Sequence, residues 1–505
     1  MGLSPTVTKA FVLLSCTFLG LICGTNYLYS SYSPQLATKL NYTAADSSKI
    51  AQFGTIGVAI SGPISGRVVD KKGYTFPLII GGLCILCGYL GLKKQFDYGH
   101  SSLPISYLML FLIGSGSTFM NSACLKCCAI SFPSLRGVAT SLPLALYGLS
   151  ALFYSVIGSI FFPGDTSKFL GFLAYSSLFI FAICAPSIIL TDREHQLRKT
   201  LQKANKSSIE MVTLSPMISP PMSPRPLPGI GTRTLPNSPR VGPVSSRSEY
   251  SNTELQADGE IHGFQLISSP KFWLLFFLTG ALSSMGQMYI YCVGYIVKAL
   301  ISKGIVYDET FIGEAKDKLE ALIQTNQQLQ VGLLSTTNCI GRLVSGMCGD
   351  IITQSFNKRR SWLLFVPSIG LTITQIMGKT IDDYRSLGLM SLSTGFFYGF
   401  TFCILPLVVG DIFGMENFSM NWGIVCLAPI LPSFYFTNLF GEIFDSHSST
   451  IPDGSHVCTL GKDCYSSIFD RNIMVTLATV LTASILNFGY HWLSKKRVEY
   501  SKLST

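Results

Sequence analysis

Arg342 stands in the run QVGLLSTTNCIGRLVSGMCGD, residues 330–350, a few positions from the centre of a long and mainly apolar segment. An arginine at that depth in hydrocarbon costs about 2.5–3.5 kcal/mol on the lenient insertion scale, so it must face a bundle interior or water. Its planar, permanently charged fork suits a carboxylate or another small oxyanion. The competing use is structural, with the guanidinium bonded to carbonyls or paired with an interfacial acid. Asn26, Tyr27, Gln287, Tyr291 and Tyr398 are further polar residues inside apolar segments. They can reach a central cavity or serve as helix–helix hydrogen bonds.

A second cluster lies in GPISGRVVDKKGY, residues 62–74. Gly62 and Gly66 share a helix face and permit close approach of a neighbouring helix. Asp70 then ends the helix, where it is expected to accept backbone hydrogen bonds from the start of the following helix, whose positive dipole end favours an acid. Lys71 and Lys72 belong at the membrane interface, and Gly73 allows a tight turn. The plain alternative is an interfacial turn with topology-setting charges. In the other half of the chain RLVSGMCGD repeats the pattern: Gly346 and Asp350 match Gly66 and Asp70 at a constant offset of 280 residues.

Other chemistries are excluded. The six histidines, at 100, 195, 262, 447, 456 and 491, avoid span centres and show no ligand spacing. No G-x-x-x-x-G-K-[ST] loop is present, so ATP hydrolysis does not drive this protein. We expect no enzyme activity, catalytic residue, metal or cofactor. Of the fifteen cysteines, all but Cys458 and Cys464 fall in or against apolar spans, where packing explains them better than zinc.

The elements that position these residues are membrane helices. The chain of 505 residues is 48% hydrophobic and 13% charged, about half the usual charged share of a soluble chain. Segments long enough for a bilayer core of roughly 30 Å occur at 10–30, 50–69, 75–92, 104–125, 138–162, 169–190, 272–297, 328–349, 361–379, 386–410, 421–443 and 471–493. The first is too long for a signal peptide and is read as retained. Pro143, Pro406, Pro429 and Pro432 are expected to bend their helices. The net charge of +10 falls in short connections, so it is a topology signal, not a nucleic-acid surface. Lys71, Lys72, Lys126, Arg136, Lys358–Arg360 and Lys495–Arg497 fall on one side. Asp308, Glu309, Glu314, Asp382, Asp383, Asp453 and Asp463 fall on the other, with Lys93 and Lys94 as exceptions. Both termini are therefore expected in the cytosol, and Lys126 is expected to snorkel to the interface.

Residues 191–270 interrupt this pattern with SPMISPPMSPRPLPGIGTRTLPNSPR. Such a segment cannot bury a core and reads as a disordered cytosolic linker. Ser215, Ser219, Ser223 and Ser238 precede prolines and suit a proline-directed kinase, or are incidental. The expected organisation is a six-helix bundle at 1–190, the linker at 191–270, a second six-helix bundle at 271–495 and a cytosolic tail at 496–505.

Twelve spans arranged six plus six, with Gly66, Asp70, Lys71 and Gly73 matching G-x-x-x-D-[RK]-x-G, resemble the major facilitator superfamily. The second copy keeps Gly346 and Asp350 without the basic-x-Gly. Finer similarity, to the nodulin-like branch and to monocarboxylate-porter-like fungal transporters, rests on CGTNYLYSSYSPQL (23–36), FPSLRGVATSLPLALYGLSA (132–151), FWLLFFLTG (272–280), residues 330–350 and DIFGMENFSMNWGI (411–424). The resemblance implies an all-α membrane fold of two six-helix bundles and a secondary transporter that works by alternating access. Substrate is then expected near the midplane, among the first, fourth, seventh and tenth spans. Monocarboxylate porters carry an Arg at the position of Arg342 and an Asp one turn earlier. Here that position is Asn338, which cannot carry a coupling proton. The expected partners are a bilayer, a small solute such as a monocarboxylate, and a proton if coupling exists elsewhere. Relatives suggest the vacuolar membrane; the plasma membrane is the other candidate. The rival reading is a transporter-like receptor or scaffold that signals through the linker. On the non-cytosolic side, Cys458 and Cys464 can form a disulfide, and the resembled family often carries such a pair. Asn41-Tyr42-Thr43 is a glycosylation sequon on that side.

Overall fold

A computed structural model describes residues 5–42, 44–162, 165–214, 264–305, 314–450 and 456–503. Outside them lie Thr43 of the sequon, Ser215, Ser219, Ser223 and Ser238, the acids Asp308, Glu309 and Asp453, and the end of the tail. The side chains of Glu314 and Lys495–Arg497 are also outside the description.

Helix dominates because in hydrocarbon every backbone N–H and C=O must be satisfied within its own segment. The first group comprises α1 (Pro5–Cys23), α2 (Tyr29–Leu40), α3 (Ala44–Lys72), α4 (Thr75–Tyr98), α5 (Leu103–Ser131), α6 (Arg136–Phe161) and α7 (Thr166–Leu214). A 3-10 turn, Gly24–Leu28, joins α1 to α2 and carries Asn26 and Tyr27. The second group begins with α8 (Phe264–Ile267), α9 (Pro270–Ile301) and α10 (Glu314–Gln354). A 3-10 turn, Arg360–Leu364, leads into α11 (Phe365–Thr380) and α12 (Leu387–Phe413). Then come α13 (Phe418–Val425), α14 (Ile430–Ser446) and α15 (Ser466–Leu503). Between the last two, β1 (Ser449–Thr450) pairs antiparallel with β2 (His456–Val457).

Helix covers each of the twelve expected spans, with differences in detail. Among the described residues ten helical stretches are both long and apolar enough to cross a bilayer; α3 and α10 are not in that set. The eleventh span is broken into α13 and α14, with Pro429 as the N-cap of α14. Pro143 and Pro406 lie inside the unbroken helices α6 and α12. The sixth span was expected to stop at 190, yet α7 runs on to Leu214.

Large apolar side chains recur on outer helix faces at helical spacing, as Phe11, Leu14 and Phe18 do on α1. A bilayer solvates such faces. Within the first group α3 and α4 pack on α5, and α1 packs on α5 and α6; within the second, α10 packs on α12, α11 on α15 and α9 on α14. The groups meet chiefly through two equivalent pairs, α3 with α13 and α10 with α6.

Candidate functional site

Two carboxylates mark the places where the helix groups meet. Asp70 is buried, and its carboxylate accepts from the backbone N–H of Met420 at 2.8 Å and of Ser419 at 3.3 Å, in the first turn of α13. This corrects the expectation that it would serve the following helix. The start of α4 is served by Asp192 of α7, which accepts from the N–H of Thr75 at 2.9 Å and from its hydroxyl at 2.6 Å. Asp350 repeats the arrangement in the other direction, accepting from the N–H groups of Gly137 and Val138 at 2.8 Å each, at the start of α6. Each acid therefore fills the unsatisfied donors at the positive end of a helix in the opposite group.

Cations complete both contacts. Lys126 pairs with Asp70 and donates to the carbonyl of Glu416 at 2.8 Å. It is buried and does not snorkel, because a carboxylate and a carbonyl lie within reach inside the protein. Arg360 Nη2 bonds Asp350 at 3.2 Å and its Nη1 reaches both oxygens of Asp411 at 2.9 Å, while Arg136 joins Asp411 at 3.2 Å. Arg360, Asp411 and Arg136 were not anticipated as a site; the sequence showed the two arginines only as topology-setting charges.

Small residues make these contacts possible. A methyl group on Gly66 would collide with the backbone carbonyl of Ser419, and one on Gly346 with that of Gly137. The close approach expected of Gly62 and Gly66 is therefore to α13 of the other group. Gly73 takes φ +86° in the turn after α3. Lys71 and Lys72 are exposed, with the Lys72 ammonium 5.0 Å from the Phe76 ring centroid.

Arg342 forms the second centre. It is 3% exposed, and its contacts reach both helix groups. Nε donates to Asn338 Oδ1 at 2.8 Å, one turn earlier on α10, and Nη1 donates to the carbonyl of Leu144 on α6 at 2.6 Å. Cζ lies over the Tyr147 ring at 5.6 Å and over the Phe402 ring at 5.8 Å. Among the described residues no acid pairs with this guanidinium, and Nη2 has no acceptor. A desolvated cation with the whole Nη2 amino group uncommitted is suited to a small oxyanion.

The other candidates gather around it unequally. Tyr27 is 43% exposed, and its ring meets that of Tyr147 edge-on at 5.8 Å. Tyr398 is buried against Phe402, with ring centroids 4.8 Å apart. Tyr27, Tyr147 and Tyr398 are all within electrostatic reach of Arg342. Gln287 is tied between helices instead, donating to the Tyr291 hydroxyl at 3.0 Å and accepting from Ser433 of α14 at 2.7 Å. Asn26 Oδ1 is buried without a partner among the described residues. Tyr147, Phe402 and the Leu144 carbonyl were missed. Aromatic residues and backbone carbonyls abound in apolar helices, and nothing in the sequence singles these out.

Away from the centre, Cys458 and Cys464 are disulfide-bonded, with Cα atoms 6.1 Å apart. Asn41 is exposed at the end of α2. Among the described residues no group of three or more His, Cys, Asp or Glu is placed to hold a metal.

Known proteins agree with this architecture. Residues 9–218 match the Nodulin-like family model. The uncharacterized membrane protein YMR155W of Saccharomyces cerevisiae is 29% identical, over 91% of both chains. The probable transporter MCH1 of Wickerhamomyces anomalus is 25% identical, over 92% of this chain and 84% of its own. Among solved structures, the major facilitator transporter FucP aligns at TM-score 0.54 and 12% identity, over 94% of this chain and 99% of its own. The proton:xylose symporter XylE gives the same score and identity, over 94% and 96%. The fold is that of the major facilitator superfamily, and the protein is a multi-pass integral membrane protein.

Proposed function

We propose that the chain is a secondary transporter that carries a small organic anion, such as a monocarboxylate, by alternating access. The observation that carries the reading is Arg342: buried, held from both helix groups, free of any acidic partner among the described residues, and with Nη2 open. The cost of holding that charge in a membrane is offset when an anion binds. Asn26, Tyr27 and Tyr398 complete the substrate site, and Gln287, bonded to Tyr291 and Ser433, braces α9 against α14 beside it. Asn338 orients Arg342 and carries no proton, so any coupling proton is held elsewhere.

Gly66, Asp70, Lys71, Gly73, Gly346 and Asp350 form the gate. In the present conformation both carboxylates hold the helix groups together at one end, and releasing them opens that end. Residues 1–190 and 271–495 act as the two rocking bundles, with 191–270 as a cytosolic linker open to a kinase, both termini in the cytosol and a vacuolar setting.

The test is uptake of labelled carboxylates into proteoliposomes, with and without an imposed pH gradient, for wild type and Arg342→Ala. Accumulation of one acid that the substitution abolishes supports the proposal. Accumulation that persists in Arg342→Ala returns the arginine to a structural role. Stoichiometric binding without accumulation favours a receptor.

A further inference from the structure

We infer that the acid bound at Arg342 is aromatic, its carboxylate on the open guanidinium nitrogen and its ring against a row of protein rings. This rests on the anion reading above and narrows it. Four aromatic rings flank the cation in sequence: Tyr27 meets Tyr147 at 5.8 Å, Arg342 lies over Tyr147 and Phe402, and Tyr398 meets Phe402 at 4.8 Å. They come from the turn after α1, from α6 and from α12, so both helix groups contribute.

Nε and Nη1 are already committed to Asn338 and Leu144, which fixes the plane of the guanidinium. A carboxylate pairs with a guanidinium in that plane. An organic body attached to that carboxylate lies beside the Tyr147 and Phe402 rings, whose centroids are 5.6 and 5.8 Å from Cζ. A planar π system can stack on them or meet them edge to face, arrangements that favour aromatic pairs beyond simple burial. A puckered saturated ring of the same carbon count can do neither. Tyr27 is the accessible member of the row at 43% exposure, so the row ends in a ring that a ligand can still cover. A short aliphatic acid would satisfy Nη2 and leave that ring uncovered.

The experiment is a binding comparison on the purified full-length protein in detergent, with labelled benzoate as probe and unlabelled benzoate or cyclohexanecarboxylate as competitor. We expect benzoate to compete at least about tenfold more strongly. Tyr27→Leu should bring the ratio towards one, through weaker competition by benzoate. Tyr27 is the mildest ring to remove because it is the exposed one, and a melting curve verifies folding. Equal competition by both acids in the wild type overturns the aromatic assignment and leaves the anion reading standing. A benzoate preference that survives Arg342→Gln also overturns it, since the site then lies elsewhere. Binding of neither acid by folded protein overturns the aromatic assignment, and uptake of the short carboxylates then decides the anion reading.

Discussion

Arg342 and Asn338 lie one helical turn apart, and their bond at 2.8 Å makes a substitution informative at both positions. Arg342→Lys keeps the charge and loses the fork that reaches Asn338 and Leu144 together. Carboxylate uptake should fall at least tenfold, with normal membrane insertion checked by surface yield; full uptake would mean the charge alone suffices. Asn338→Asp places a carboxylate where an amide oxygen now accepts. At neutral pH the new acid should occupy Arg342 and suppress uptake, and protonation should release it, so uptake should rise as pH falls. A flat pH profile from pH 8 to pH 5 would contradict the assignment. Arg342 itself was legible, because a charge so deep in an apolar segment demands an explanation. Asn338 was named beside it, but the partner on α6 was not legible, since Leu144 lies 198 residues away and contributes a backbone oxygen, which every residue has.

At the scale of helices, the fold's exchange of carboxylates between opposite groups is the main structural finding. Asp70 and Asp350 could be read from the repeated Gly-x-x-x-Asp spacing, and the need of a helix N-terminus for an acid was the right physics. The identity of the helix was wrong, because adjacency in sequence suggested α4 whereas Asp70 meets Met420, 350 residues away. Removing one partner of a buried ion pair leaves the other uncompensated, at a cost of about 3–5 kcal/mol. Asp70→Asn should therefore speed amide exchange over 418–425, and Asp350→Asn over 136–141, as read by hydrogen–deuterium exchange mass spectrometry. Unchanged protection at both places would show that apolar packing alone holds this end together.

For the molecule as a whole, twelve helices were legible chiefly from apolar length, and the exceptions are instructive. Helices α3 and α10 are the least apolar of the twelve, because they carry the surfaces that pack against the other group: Gly62, Gly66 and Asp70 on one, Asn338, Arg342 and Asp350 on the other. They were read as spans with the rest, and their mutual repetition singled them out. The break at Pro429 was expected only as a bend. The disulfide belongs to this scale as a staple ahead of α15, closing a loop with a sequence separation of 6. A loop so short contributes about 2 kcal/mol in the chain-entropy account. Replacing Cys458 and Cys464 by Ser together should lower the melting temperature modestly and leave uptake intact; loss of uptake by a protein that still folds would place the loop in the transport cycle.

The most direct measurement is counterflow: labelled benzoate entering proteoliposomes preloaded with the unlabelled acid, for wild type and Arg342→Ala side by side. Counterflow needs no coupling ion and separates a carrier from a receptor. The account predicts a transient overshoot of label in the wild type and none in Arg342→Ala. An equal overshoot in the variant, or none from folded wild-type protein, would contradict it.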